Sequence, residues 1–192
     1  MNIFIHTSIF VALAITTGAA ATPQEIGNQL IEKYGDAVVT VQAVAEVRGR
    51  ERELESLGTM IDNAGTVVVA HSRFTSNELS KVKLLLADGS EVAAKVVLTD
   101  PDLDIAFIQP DLEALDGEEF EFTSLALNDK LVELQAADQV IILSREGEGF
   151  RRQSSLILGS VETVLDAPRR YYRTNRRPPG TPAFSVDGAF VG

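Results

Sequence analysis

Short apolar runs separated by tight-turn signals recur along most of this chain, and that rhythm limits what it can become. Asp88-Gly89 stands between Lys81 to Leu86 and Glu91 to Leu98. An Asp-Gly pair tolerates the positive φ that a two-residue hairpin demands. Asn63-Ala64-Gly65 makes the same kind of punctuation between Leu57 to Ile61 and Thr66 to Ala70. Ala37 to Val41 is β-branched and short, as a strand prefers. Ile105 to Ile108 is a buried-type strand that Pro110 ends, and Gln139 to Leu143, Ser154 to Leu158, Val161 to Leu165, Tyr171 to Thr174 and Ala183 to Val191 read as further strands. The charged run Glu46 to Glu55, with Gly49 inside it, reads as a solvated hairpin loop. Only Pro23 to Tyr34 carries helical spacing: Ile26, Leu30 and Ile31 share a face, Glu25 lies in the first turn, and Gly35-Asp36 closes it. Many short strands and one short helix predict an all-β barrel or sandwich.

Composition then sets compartment and excludes chemistries. The first 24 residues hold no Asp, Glu, Lys or Arg, and the apolar stretch from Ile9 gives way to small residues ending at Ala19 and Ala21. We read residues 1–21 as a cleavable export signal, with an uncleaved anchor as the alternative. Its apolar part is too short for a comfortable transmembrane span, so no stable membrane insertion is expected once the signal is removed. The chain has no cysteine, which removes disulfides, thiolate metal sites and cysteine nucleophiles. An exported chain without cysteine suits a bacterial periplasm, or secretion, better than a disulfide-rich route. Pro110, Gly117 and five acids between Asp111 and Glu119 mark residues 111–130 as a linker. Residues 22–110 are then a first barrel with its N-terminal helix, and residues 131–192 a second.

The formal charge is −11, which disfavours a general nucleic-acid binder. It is unevenly spread: residues 145–192 hold eight basic residues, all arginine, against five acids. These arginines either pair with the acidic half of the same chain or form a face for an anion or acidic peptide.

Few side chains can carry chemistry. The histidines are His6, within the expected signal, and His71. Asp100, Asp102 and Asp104 lack the glycine and terminal glutamate of a calcium loop, so no metal or other cofactor is expected. On spacing, His71 at the end of one strand and Asp104 at the start of another could form a His–Asp pair, or His71 could be purely structural.

Four segments in order resemble the trypsin-like (chymotrypsin-fold) serine peptidase domain of the bacterial HtrA/DegP type. Ile31 to Val39 is similar to its opening helix and first strand, and Gly58 to Val69 to the hairpin leading to its histidine. Asp88 to Ala106, with Ala94-Lys95-Val96-Val97 and Asp100-Pro101-Asp102-Leu103-Asp104-Ile105-Ala106, resembles the run holding its aspartate. Gly180 to Gly188 resembles the stretch that follows its serine. The resemblance implies two β-barrels with the active site in the cleft between them. It implies a serine nucleophile, a histidine base, an orienting aspartate and backbone N–H groups for the oxyanion.

Carried over by position, Asp104 falls on the aspartate. The histidine falls on Ser72, with His71 one residue early. That offset points a strand side chain to the opposite face unless a bulge restores it. The nucleophile falls on Pro179, which has neither hydroxyl nor N–H, and a glycine of the oxyanion loop falls on Arg177. Asp104 and His71 are thus remnants of a catalytic set that Ser72 and Pro179 interrupt. The family continues with a closing strand beyond this point, so the second barrel is expected to be incomplete, either as a fragment or with its strand supplied by a partner, and an oligomer is possible through that open edge. The expected function is binding of a peptide or protein segment by an exported protein that has lost peptidase activity. The rivals are an active endopeptidase with a displaced histidine and an unrecognised nucleophile, and a purely structural fragment.

Overall fold

A computed structural model describes residues 21–74, 79–111, 113–114, 120–125, 127, 132–167 and 170–192. The expected signal therefore lies outside the described residues except for Ala21, as does much of the expected linker.

Helix α1 spans Pro23–Tyr34, as its spacing predicts. Thr22 and Glu25 form a reciprocal cap at its start: the Glu25 amide donates to Thr22 Oγ1 at 3.3 Å, and the Thr22 amide donates to the Glu25 carboxylate at 2.7 Å. That backbone hydrogen bond holds the Glu25 pKa below its ordinary value. Pro23, at the first helical position, has no N–H to leave unpaired.

Six strands follow and close into a barrel: β1 (Val38–Val47), β2 (Arg50–Met60), β3 (Val67–Ala70), β4 (Leu79–Leu85), β5 (Glu91–Asp100) and β6 (Ile105–Pro110). Their order around the barrel is β1-β2-β3-β6-β5-β4. Closure leaves no free edge. The turns at Asn63 to Gly65 and Asp88-Gly89 stand where the sequence predicts. The charged run Glu46 to Glu55 does not form a loop. It is a ladder pairing Val38 with Thr59 through to Val47 with Arg50, turned by Arg48 and Gly49 at φ 54° and 73°. Both positive values match a two-residue hairpin turn. The charges fit a strand because the outer half of β2 is exposed and only its inner half is buried.

The second unit is an open antiparallel sheet of β7 (Gln139–Arg145), β8 (Ser154–Leu165), β9 (Tyr171–Thr174) and β10 (Ala183–Ser185), in the order β10-β7-β8-β9. Two expectations change here. Ser154 to Leu158 and Val161 to Leu165 are one strand, β8. The Gly159-Ser160 pair continues it because Asn175 caps that point: Asn175 Oδ1 accepts from the Ser160 amide at 2.9 Å and the Asn175 amide donates to the Ser160 carbonyl at 3.1 Å. Ala183 to Val191 is a hairpin rather than a strand. It turns at Asp187-Gly188, and the Val191 amide returns to the Ala183 carbonyl at 2.8 Å.

One core joins the two units. It runs from Val39, Val41, Leu84 and Ile108 inside the barrel to Leu30 of α1 and to Ile141, Leu143 and Phe184 of the open sheet. Tyr34 stacks on Phe184 with ring centroids 5.8 Å apart. Val140 and Ile142, on the other face of β7, pack a smaller cluster with Leu134, Val161 and Ala183. Among the described residues no helix is long and apolar enough to cross a membrane.

Candidate active-site cleft

A cleft of about 950 Å³ opens between the barrel and the open sheet. Thr59, Val69 and Phe107 contribute to one wall, and Tyr172, Thr174 and Pro179 to the other.

On the barrel side, β3 stops at Ala70 and runs into a single 3₁₀ turn, His71–Arg73. The turn between β5 and β6 brings Asp104 against it. Ser72 donates twice to the Asp104 carboxylate, from its amide to Oδ1 at 2.6 Å and from Oγ to Oδ2 at 3.0 Å. The His71 amide donates to the Asp104 carbonyl at 3.0 Å. Asp104 is held at φ +53° by this arrangement, a value a non-glycine residue adopts only where its surroundings require it. The His71 and Asp104 side chains therefore do not pair as their spacing suggested; they meet through backbone alone. The reason is register. β3 and β6 pair without a bulge from Val67–Ile108 to Ala70–Ile105, so nothing shifts His71 by the residue it would need. His71 Nδ1 is buried and without a hydrogen-bond partner among the described residues.

The loop from Arg176 to Thr181 lies opposite. Arg176 sits at φ +58° and Gly180 at +80°. Arg177 Nε and Nη2 donate to the Thr181 carbonyl at 2.9 and 2.6 Å, and Thr181 Oγ1 donates to the Pro178 carbonyl at 2.6 Å. Thr59 Oγ1 reaches across from β2 to the Gly180 carbonyl at 2.8 Å. The loop is thus pinned both to itself and to the barrel. Pro179 lines the cleft without a hydroxyl or an N–H to offer it. Arg177 is exposed as a residue, and partial desolvation of its guanidinium lowers its pKa. It remains a cation at neutral pH because an arginine starts so high.

Among the described residues lining the cleft there is neither serine nor histidine. Ser185 is buried and locks its own hairpin, donating to the Asp187 carboxylate and accepting from the Ala189 amide at 3.1 Å. Ser154 Oγ donates to the Gly35 carbonyl at 3.3 Å, and neither residue lines the cleft. Asp100, of the spaced aspartates, accepts from the Leu103 amide at 3.0 Å and shapes the turn. Among the described residues no three His, Asp or Glu side chains gather as a metal site.

Several of the C-terminal arginines pair with acids of the same chain. Arg152 reaches Glu55 at 3.3 Å, Arg170 lies 3.3 Å from Glu133 and 3.6 Å from Asp166, and Arg173 lies 3.5 Å from Glu162. Sequence reasoning missed Arg145. It is buried at the end of β7, donating to the Val38, Arg152 and Gly35 carbonyls with Asp36 at 3.7 Å. Its only sequence signal is a charge directly after an apolar strand, which many surface residues share.

The sequence model of the trypsin-like peptidase domain matches residues 56–192, from the inner half of β2 to Gly192. The chain belongs to the trypsin-like peptidase family. The matched span holds Ser72, Asp104 and the Pro179 loop, and of these Asp104 and the Pro179 loop line the cleft. No curated protein matches the sequence.

Proposed function

We propose that this chain is an exported, HtrA-type member of the trypsin-like family that has lost peptidase activity and binds an extended peptide or protein segment in its cleft. The observation that carries the reading is the pairing of Asp104. Both carboxylate oxygens accept from Ser72, the residue at the histidine position, while the nucleophile position is Pro179. Trypsin-type chemistry needs an imidazole that takes the serine proton, an aspartate that orients that imidazole, and N–H donors for the oxyanion. Ser72 has no accessible basic lone pair near neutral pH, and Pro179 brings neither nucleophile nor donor. Losing the serine or histidine of a triad alone typically lowers kcat by about a million-fold. The rival reading, an active endopeptidase using His71, needs His71 on Asp104 and a serine in the cleft. The observed hydrogen bonds argue against the first and the cleft lining against the second.

A cleft without the chemistry keeps its shape and its backbone edges, which are enough to hold an extended chain. The uncharged first 24 residues support export to a periplasm or beyond the cell. The test is exposure of the folded protein to a fluorophosphonate serine-hydrolase probe, read by intact mass. No adduct is expected. A covalent adduct abolished by replacing one serine would overturn the loss of activity and identify the nucleophile.

A further inference from the structure

The connection between β7 and β8, Glu146 to Gln153, stands out into solvent. Glu146 to Arg151 are all exposed, Phe150 at 71%. A Cβ built at Gly147 or Gly149 would meet no atom within 4 Å. The loop is closed at its base, where the Glu146 amide donates to the Gln153 carbonyl at 2.9 Å. On its returning side Arg151 and Arg152 follow one another at φ 55° and 51°. Two adjacent non-glycine residues in the left-handed region store strain. Two of the bonds that hold this turn are long: the Arg152 amide donates to the Gly147 carbonyl at 3.2 Å, and the Gln153 amide to the Phe150 carbonyl at 3.3 Å. Unwinding the turn relieves the strain and exposes little that is not already in water, so this segment opens locally at low cost.

The same turn carries a recognition element, two arginines in succession. Among the described residues most other lysines and arginines lie in α1 or in paired strands, whose backbone is not free to extend into an enzyme. Arg176 belongs to the loop pinned by Thr59 and Arg177. The bond after Arg177 leads to Pro178, whose ring and missing N–H deny an enzyme its extended, hydrogen-bonded fit.

We propose that the β7–β8 loop is a processing site: an endopeptidase of arginine specificity hydrolyses the chain after Arg151 or Arg152 and leaves a folded, two-chain molecule. Water adds across the peptide bond, so the arginine gains a carboxylate and the residue after it an ammonium group. The two pieces stay together because the contacts that join them lie outside the loop. β7 and β8 pair from Gln139–Ser160 to Arg145–Ser154, and Leu143 and Leu156 pack in the shared core. Arg152 keeps its tie to Glu55 at 3.3 Å. Such processing is independent of what the cleft binds.

Digestion of the folded full chain with trypsin as the probe, read by intact mass and size exclusion, tests this. Fragments ending at Arg151 or Arg152 are expected to accumulate and to elute together at the position of the uncut protein, with its circular dichroism retained. Replacing both residues, Arg151→Gln with Arg152→Gln, should slow cutting in this loop by about a hundredfold or more, since an enzyme built to bind a guanidinium rejects a side chain without one. Arg152 also binds Glu55 and Thr40, so Arg151→Gln alone serves as the second variant. It should confine cutting to the Arg152–Gln153 bond. Protein recovered from the cells that make it should carry the same break. A loop that stays intact while trypsin cuts elsewhere, fragments that unfold or separate once the loop is cut, or only unbroken loop in protein from its own cells overturns the inference and leaves the loss of peptidase activity standing. The same break in purified protein with no endopeptidase added would make the chain its own processing enzyme, and would overturn both the separate endopeptidase and that loss.

Discussion

Gly180 sits at φ +80°, and a Cβ built there would overlap the Leu57 carbonyl oxygen on β2. The loop lies this close because Thr59 Oγ1 holds the Gly180 carbonyl at 2.8 Å. Backbone cannot yield as a flexible side chain does, and an alanine would also be strained at that φ. Gly180→Ala is expected to lower unfolding stability by about 2–4 kcal/mol, measured by urea denaturation. Ser72→Ala should behave differently. Ser72 is exposed, so losing its hydroxyl should cost only about 0.5–1.5 kcal/mol, with no gain or loss of fluorophosphonate labelling. Counting along the chain carries the family's histidine and serine positions onto Ser72 and Pro179 as an expectation. It did not reveal that Ser72 takes both oxygens of Asp104, because that depends on how two turns 32 residues apart close against each other.

Arg145 acts between elements. Its guanidinium donates to carbonyls at the end of α1, at the start of β1 and in the turn before β8. Burial lowers its pKa, and Asp36 partly opposes that. The group stays charged at every pH a folded protein meets, so the clasp itself should be insensitive to pH. Arg145→Met fills part of the space but strands three carbonyls, and should destabilise by about 2–4 kcal/mol. Arg145→Lys keeps the charge without the planar fork and should recover only part of that loss in the same denaturation series. The strands and the helix that frame this residue follow turn chemistry and side-chain period. The readings that changed have local causes. The Glu46 to Glu55 run pairs as strand because the turn end of that hairpin stands in water, so charge carries no burial penalty there. The break expected at Gly159-Ser160 vanishes because Asn175, from the far end of β9, supplies its hydrogen bonds.

Across the whole molecule the barrel and the open sheet share a core and a few polar ties. Glu55 to Arg152 is the tie that responds to pH. Desolvation raises the Glu55 pKa, but hydrogen bonds from Arg152 and Gln42 and the Arg152 charge outweigh it and leave the value lowered. A carboxylate with a lowered folded-state pKa adds stability above its unfolded value, and that stability is lost as pH falls through the folded value. Wild type and Glu55→Gln should therefore differ at neutral pH and converge at about pH 3, below the ordinary carboxylate range. Glu55 is about half exposed, so the difference at neutral pH should stay below about 1 kcal/mol. Equal stability of the two proteins at neutral pH, by thermal or urea unfolding, would remove the tie from this account.

Hairpin turns, strand period and the spacing of the N-terminal helix are written within a few neighbouring residues. Those features were legible along the chain. The Ser72–Asp104 pairing, the Thr59–Gly180 contact between residues 121 apart and the Arg145–Val38 contact between residues 107 apart were not. Such contacts depend on strand register and on which buried groups lack water. Both are set only when the barrel closes and the second sheet packs against it.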